Sequence, residues 1–275
     1  MPASKLKNLV IWILLLCNIF LLILVLPARL QAKQQRSALR AELAELYAGY
    51  GLSLPEGDLP QSQNLYLLEA QYDSDAALTA ARALLGEEVL AESDSGSYQT
   101  VYTSSGGKCT VRRDSLSATL KNGSAVSGNL RNAARETLSR MDFAIDTLGA
   151  VVSDGAKSTV TARQSIAGAS VFSCELTLTY QNGTLLSVSG GFCPTGKTLT
   201  AIGTETSISC ADALVAFLNA MEQTGWVGSA ITEIEQGYLL AESASASTVR
   251  LIPVWRLSTD TGVFFVHGIT REVSS

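Results

Sequence analysis

Histidine is nearly absent from this chain: His267 is the only one in 275 residues. No two-histidine metal site can form within one copy, and a Ser-His-Asp triad would have to recruit this single residue. It sits in an alternating stretch, Val263 to Ile269, where a solvent-facing or hydrogen-bonded structural histidine is expected. The chain also lacks a Gly-x-Ser-x-Gly elbow, a phosphate-binding Gly-rich loop with Lys and a His-Glu-x-x-His pair. Gly-rich stretches such as Ser104 to Gly107 fall in hairpin turns rather than between a strand and a helix. A basic surplus is missing too. Twenty Lys and Arg stand against 25 Asp and Glu, a net charge of −5, which excludes a phosphate-binding face and with it nucleic acid as a partner. The remaining catalytic candidates are carboxylate pairs, Asp142 with Asp146 and Glu233 with Glu235, and both read as solvated surface. The sequence therefore predicts a protein that is not an enzyme and needs no cofactor or metal.

Cysteine is scarce, with five in all, and none is spaced as C-x-x-C. Cys174 and Cys193 fall on two arms of one hairpin. A simple two-residue turn at Asn182-Gly183 would place Cys174 opposite Gly191, so a bridge would need a bulge, and free buried thiols are the expectation. Charged residues make up only 16% of the chain, but 47% are hydrophobic, enough to build a core and too many for disorder.

The apolar residues are distributed unevenly. Leu9 to Leu26 (LVIWILLLCNIFLLILVL) is an uncharged run of 18 residues, ~27 Å long as a helix and close to the ~30 Å of a bilayer core. Its length and the absence of a clean Ala-x-Ala site argue against a cleaved signal peptide, and Leu14 to Leu16 before Cys17 argue against a lipoprotein. The expected reading is a single uncleaved transmembrane helix. Positive charges lie on both sides, Lys5 and Lys7 before it and Arg29, Lys33, Arg36 and Arg40 after it. Counted alone they favour a body inside, but long domains translocate largely regardless of charge. Scarce Lys with abundant Ser, Thr, Gly and Asn favours a cytoplasmic amino terminus and an extracytoplasmic body at the cell membrane. Within the run Asn18 stands out, because an amide in hydrocarbon needs a hydrogen bond, from a partner helix or from its own backbone.

After Pro27 the pattern predicts a stalk helix to Tyr50, with Leu39, Leu43, Leu46 and Tyr50 on one face and Glu42 and Glu45 outward. Residues 52–60 hold two prolines and read as extended. Then a helix followed by strands recurs three times. Helices are predicted at Asp75–Leu85, Leu130–Leu148 and Ala211–Gln223, the last capped by Ser207 or Ser209. Strands are expected at Leu65–Ala70, Tyr98–Tyr102, Lys108–Arg113, Ser115–Lys121, Val171–Tyr180, Thr184–Val188, Ile231–Ile234, Gly237–Glu242, Leu251–Leu257 and Val263–Ile269. The fold class is α+β: one N-terminal transmembrane helix, then repeated units of a helix and antiparallel strands. The expected divisions are 1–27 for head and membrane helix, 28–60 for stalk and linker, and three units at 61–127, 128–204 and 205–275.

Both ends of the chain carry a resemblance. The anchor runs into Leu46-Tyr47-Ala48-Gly49-Tyr50-Gly51-Leu52-Ser53-Leu54-Pro55. Near the far end stands Ile252-Pro253-Val254-Trp255-Arg256-Leu257, followed by Thr259-Asp260-Thr261-Gly262-Val263-Phe264-Phe265-Val266. Together these resemble the YycI/YycH group of Gram-positive bacteria, and the Pro-x-Trp-Arg hairpin is similar to the end of PepSY-type domains. The resemblance implies a single-pass membrane protein that regulates a cell-wall two-component sensor histidine kinase, with a second YycH-like regulator as a further partner. It implies contact through the span, where Trp12 and Asn18 are the candidate partner-binding residues, and no catalytic residues. The alternative reading is an extracytoplasmic binding or inhibitor module for a secreted peptidase or cell-wall component, with the helix only a tether.

Overall fold

The computed structural model describes residues 3–275 except 95–98, 122, 124, 127, 244 and 246, and it omits the side chains of residues 3–10, 21–33, 94 and 196–198. Tyr98, the first residue of an expected strand, and Asn122 of the Asn122-Gly123 pair that follows the expected strand Ser115–Lys121 lie outside this description. Among the described residues four helices are present: α1 (Ala3–Gly49), α2 (Ser74–Leu85), α3 (Leu130–Arg140) and α4 (Cys210–Thr224). Fifteen strands accompany them: β1 (Tyr66–Tyr72), β2 (Leu90–Asp94), β3 (Gln99–Ser104), β4 (Gly107–Arg112), β5 (Ser115–Leu120), β6 (Ile145–Leu148), β7 (Val152–Asp154), β8 (Lys157–Ile166), β9 (Ala169–Gln181), β10 (Thr184–Gly191), β11 (Thr195–Thr206), β12 (Ile231–Glu242), β13 (Thr248–Thr259), β14 (Val263–His267) and β15 (Val273–Ser274). This is an α+β protein built on one large, mostly antiparallel sheet. Its main path runs β11-β1-β13-β12-β9-β10-β5-β4-β3-β2.

Helix α1 contains the Leu9–Leu26 run, of which only Ile11 to Phe20 have described side chains, all exposed. Among the described residues, no helix is long and apolar enough to cross a membrane.

Local signals account for the helix ends. Asp73 caps α2 by accepting from the Asp75 and Ala76 amides at 2.8 and 3.2 Å. Ser209, rather than Ser207, caps α4 through the Asp212 amide, and Gly225 ends it in the left-handed region at φ +67°. The Asn182-Gly183 hairpin has φ of +49° and +76°, as a tight two-residue turn with the strands' own twist requires.

Two expectations are corrected. Helix α3 stops at Arg140, not at Leu148. Asp142 turns the chain at φ +56°, Phe143 donates back to the Leu138 carbonyl, and the Phe143 side chain enters the core. Ile145 to Leu148 then pairs with β8. Asp142 and Asp146 therefore share no helix face. The apolar positions Met141, Ile145 and Leu148 mimic a helical stripe only because a turn followed by a strand brings them to one core. The second correction concerns α1: Leu43 and Tyr47 face the body, whereas Leu39, Leu46 and Tyr50 remain 41–51% exposed.

Three apolar clusters hold the body. The first packs α2 and α3 side by side on the strands from β3 to β5 and β8 to β10, so two of the helix-plus-strand units share one core. The second packs α4 and the end of α1 on β12, β13 and β14, around Trp255. The third, with Val171, Cys174, Cys193, Tyr238 and Leu251, lies where these two parts of the sheet meet. The meeting is narrow. Strands β12 and β9 pair in parallel at only two positions, Gly237 with Ser170 and Tyr238 with Val171.

Candidate functional site

Helix α1 ends inside the body. Tyr47 is completely buried, and its hydroxyl donates to the Leu214 carbonyl of α4 at 2.8 Å. Burial, with Cys210 nearby, raises its pKa well above the usual tyrosine range, so it stays a neutral donor. Leu43 lies one turn earlier on the same face. Arg40, another turn back, donates to the Pro55 carbonyl at 2.9 Å, which ties the linker to the helix. Leu52 donates its amide to the Tyr47 carbonyl as the chain leaves the helix.

The two residues singled out in the apolar run are exposed, and α1 does not bring them onto one face. Six residues apart on a helix, Trp12 and Asn18 point ~120° from each other. The Asn18 amide nitrogen donates to the Leu14 carbonyl at 2.8 Å, within its own helix.

A second feature opens between α2 and α3. The groove has a volume of about 1110 Å³. Its sides carry charges of both signs, Arg82 and Glu87 from α2 and the turn after it, and Glu136 and Arg140 from α3. Leu85, Leu120 and Leu185 supply apolar lining, and Tyr180 of β9 lies at its base. Tyr180 is only 1% exposed, and its hydroxyl has no hydrogen-bond partner among the described residues. Burial pushes its pKa up to about 12. Sequence reasoning missed this groove, because α2 and α3 are far apart in the chain and only the shared sheet sets them side by side.

The third feature sits on the opposite face of the sheet, at the narrow join. There β9 bulges: Arg163 of β8 pairs with Glu175, but Gln164 pairs with Val171, leaving Phe172, Ser173 and Cys174 out of the ladder. Phe172 lies with the Arg163 and Arg256 guanidinium carbons 5.3 and 5.7 Å from its ring centre, and it contacts Phe265 at 6.0 Å. Glu235 joins the two arginines, bonded to Arg256 and 3.6 Å from Arg163. Glu233 lies 3.4 Å from Arg256, and Glu175 lies 3.9 Å from Arg163. Glu233 and Glu235 thus do share a strand face, but they are ion-paired there rather than simply solvated. Gly237 allows the close approach, since a Cβ there would lie 2.4 Å from the Ser170 carbonyl oxygen and 2.9 Å from the Phe172 ring.

Behind the join, the buried Gln164 side chain clamps Cys193, accepting from its amide and donating to its carbonyl, both at 3.0 Å. A bulge between Leu185 and Ser187 shifts the β9–β10 register by one residue and carries Cys193 toward Cys174. Both thiols are nevertheless free, as are Cys109 and Cys210. Burial pushes the thiols of Cys109, Cys193 and Cys210 up to about 12 and raises Cys174 further.

His267 ends β14. Its Nδ1 accepts from the Ile269 and Thr270 amides, each at 3.1 Å, so the ring shapes the turn into the C-terminal segment. Partial burial lowers its pKa, against the opposing influence of Glu272.

No protein-family model matches the chain, and no curated protein matches it in sequence. Among solved structures, it is similar to the Bacillus megaterium YpeB C-terminal domain. The two are 11% identical with a TM-score of 0.38, over 74% of this chain and 98% of that domain. A likeness this loose supports no statement about activity, and it does not place the chain in the YycI/YycH group.

The geometry offers three features: a helix fixed into the body, a two-sided groove and an ion-paired joint. Among the described residues, no group of three His, Cys, Asp or Glu side chains is arranged to hold a metal ion.

Proposed function

We propose that this chain is a membrane-anchored extracytoplasmic regulator that acts by contact on a cell-wall sensor histidine kinase, as its resemblance to the YycI/YycH group implies. The observation that supports this reading is the unbroken course of α1 from Ala3 to Gly49, ending with Tyr47 sealed into the core beneath α4. An anchor that served only as a tether would work equally well through a flexible linker. A helix whose last turns belong to the body's core instead ties any movement of the body to the apolar run. The run inserts in the membrane with the amino terminus cytoplasmic, and Trp12 and Asn18 contact the kinase's own membrane helices. A second, YycH-like regulator joins the assembly. A coupling of ~1–3 kcal/mol is enough to shift a two-state receptor severalfold or more.

The test has two arms. Crosslinking and co-purification of the full chain from its native membrane should recover a sensor histidine kinase. Inserting a short Gly-Ser linker after Arg36, which keeps the anchor and the folded body but breaks their rigid connection, should then abolish the chain's effect on kinase output. Unchanged output with the linker would sink the proposal.

A second reading is favoured by a different observation, the groove between α2 and α3. Here the body is a binding or inhibitor module for a secreted peptidase or cell-wall component, and the anchor is a tether. This reading requires the body alone, without residues 1–27, to retain its activity.

A further inference from the structure

We propose that His267 is a pH-operated latch: its neutral ring holds residues 269–274 as a strap along β14 and α4, and its protonation releases them. The latch depends on neither reading of function above.

The geometry at the ring carries the proposal. The amides of Ile269 and Thr270 converge on Nδ1, each at 3.1 Å. Two donors aimed at one nitrogen require it to be an unprotonated acceptor, so the neutral ring carries its hydrogen on Nε2. An imidazolium carries N–H on both nitrogens. A proton taken up from water at Nδ1 therefore removes the lone pair that both amides use and sets a third N–H against them. The turn is already strained, because Arg271 lies in the left-handed region at φ +67°, where a side chain costs free energy. Its other bonds run from the His267 amide to the Glu272 carbonyl at 2.8 Å and from the Arg271 amide to the His267 carbonyl at 3.0 Å.

The neighbouring contacts set how far the release extends. Gly268 donates to the Pro253 carbonyl and accepts from the Ile208 amide, both at 2.7 Å, so the root of the strap stays on the body. Beyond it the hold is lighter. Strand β15 pairs with β14 only as Phe265 with Ser274 and Val266 with Val273, and Val273 packs from the edge on the cluster around Trp255. Arg271, Glu272 and Val273 also face Val215, Ala216 and Ala220 of α4 across a cleft of about 490 Å³, so release uncovers that side of α4.

The elements packed against β14 carry few charges. Strand β13 has Arg250 and Arg256, α4 has Asp212 and Glu222, and the turn has Arg271 and Glu272. Arg256 is committed to Glu233 and Glu235, and Asp212 accepts from the Ser209 hydroxyl. Among the described residues Glu272 acts on the ring. Burial disfavours the imidazolium and outweighs the Glu272 carboxylate, which favours it, so the latch opens below the ordinary histidine range.

The test exploits the single histidine of the chain. In nitrogen NMR of the full chain in detergent, one imidazole reports tautomer and titration together, and the neutral ring should carry its proton on Nε2. Hydrogen exchange, corrected for the intrinsic rate at each pH, should show protection of residues 269–274 falling at least ~10-fold as the ring titrates, for two lost bonds. Strands β12 and β13 should keep their protection over the same range. His267→Asn offers the same amides an acceptor that does not titrate, and should keep the strap protected throughout. Glu272→Gln should move the release to lower pH, because it removes the carboxylate that favours the imidazolium. A neutral ring protonated on Nδ1, protection that does not follow the ring's titration, release of His267→Asn at the same pH, or simultaneous loss of protection in β12 and β13 would each overturn the proposal. The measurements on the unmodified chain decide the matter even where a variant fails to fold.

Discussion

Replacing Tyr47 with alanine should detach α1 from the body, and the structure sets the size of the effect. Truncating a fully buried aromatic side chain in a packed core costs about 3–5 kcal/mol, because contacts are lost and the surroundings relax only partly. Tyr47→Phe keeps the ring and loses only the 2.8 Å bond to the Leu214 carbonyl, about 1 kcal/mol, since that carbonyl lies within α4 and the helix ladder also uses it. The two variants should therefore differ at least threefold in cost. Trp255 and Trp226 belong to or pack against the same apolar cluster, so tryptophan emission during urea unfolding of the full chain in detergent reports on this site. With a denaturant slope of ~2–3 kcal/mol/M, Tyr47→Ala should lower the midpoint by about 1.5–2 M and Tyr47→Phe by ~0.4 M. If the alanine variant loses less than ~1 kcal/mol, or the phenylalanine variant loses as much as alanine, then α1 is not part of the core. The rigid-connection reading would fall with it.

Three further outcomes are expected. Gln164→Ala should destabilise the body by about 2–4 kcal/mol, measured by thermal unfolding, because it orphans both the amide and the carbonyl of buried Cys193. Gly237→Ala should cost about 1–3 kcal/mol by the same measurement, since its Cβ would press on the Ser170 carbonyl at the two-residue parallel join. For His267, the folded pKa lies below the unfolded value near 6.5, so the unfolded chain binds the extra proton first. Its contribution to stability should be complete above pH ~6.5 and should fade as pH drops through the depressed value. His267→Asn, which keeps an acceptor for the Ile269 and Thr270 amides, should flatten that part of the melting temperature's pH profile.

Features that depend on a few neighbouring residues were legible in the chain. Ser209 and Gly225 around α4 and Asn182-Gly183 in the hairpin each act within about four residues, so their effect needs no distant partner. By contrast β8 was missed, because its alternation is carried by Val160, Ala162 and Ile166 with Gln164 in an inward position, too little apolar content to register as a strand. The apolar stripe of α3 was read too far because one hydrophobic spacing fits either a continuing helix or a helix, a turn and a returning strand.

By itself the sequence determined an uncharged 18-residue run and an α+β body with a substantial core. Only the tertiary structure decided which side of α1 is buried, since Leu39, Leu43, Leu46 and Tyr47 are all apolar or aromatic and α4 covers just Leu43 and Tyr47. It alone placed Arg163 and Arg256 around Phe172, and α2 beside α3 above Tyr180. Apart from Arg163 and Phe172, which face each other across one hairpin, those partners are separated by tens of residues, and their meeting depends on sheet register and on the three-residue bulge in β9. Hydrophobic patterning shows that a residue is buried, but pairing across the sheet decides which residues it is buried against.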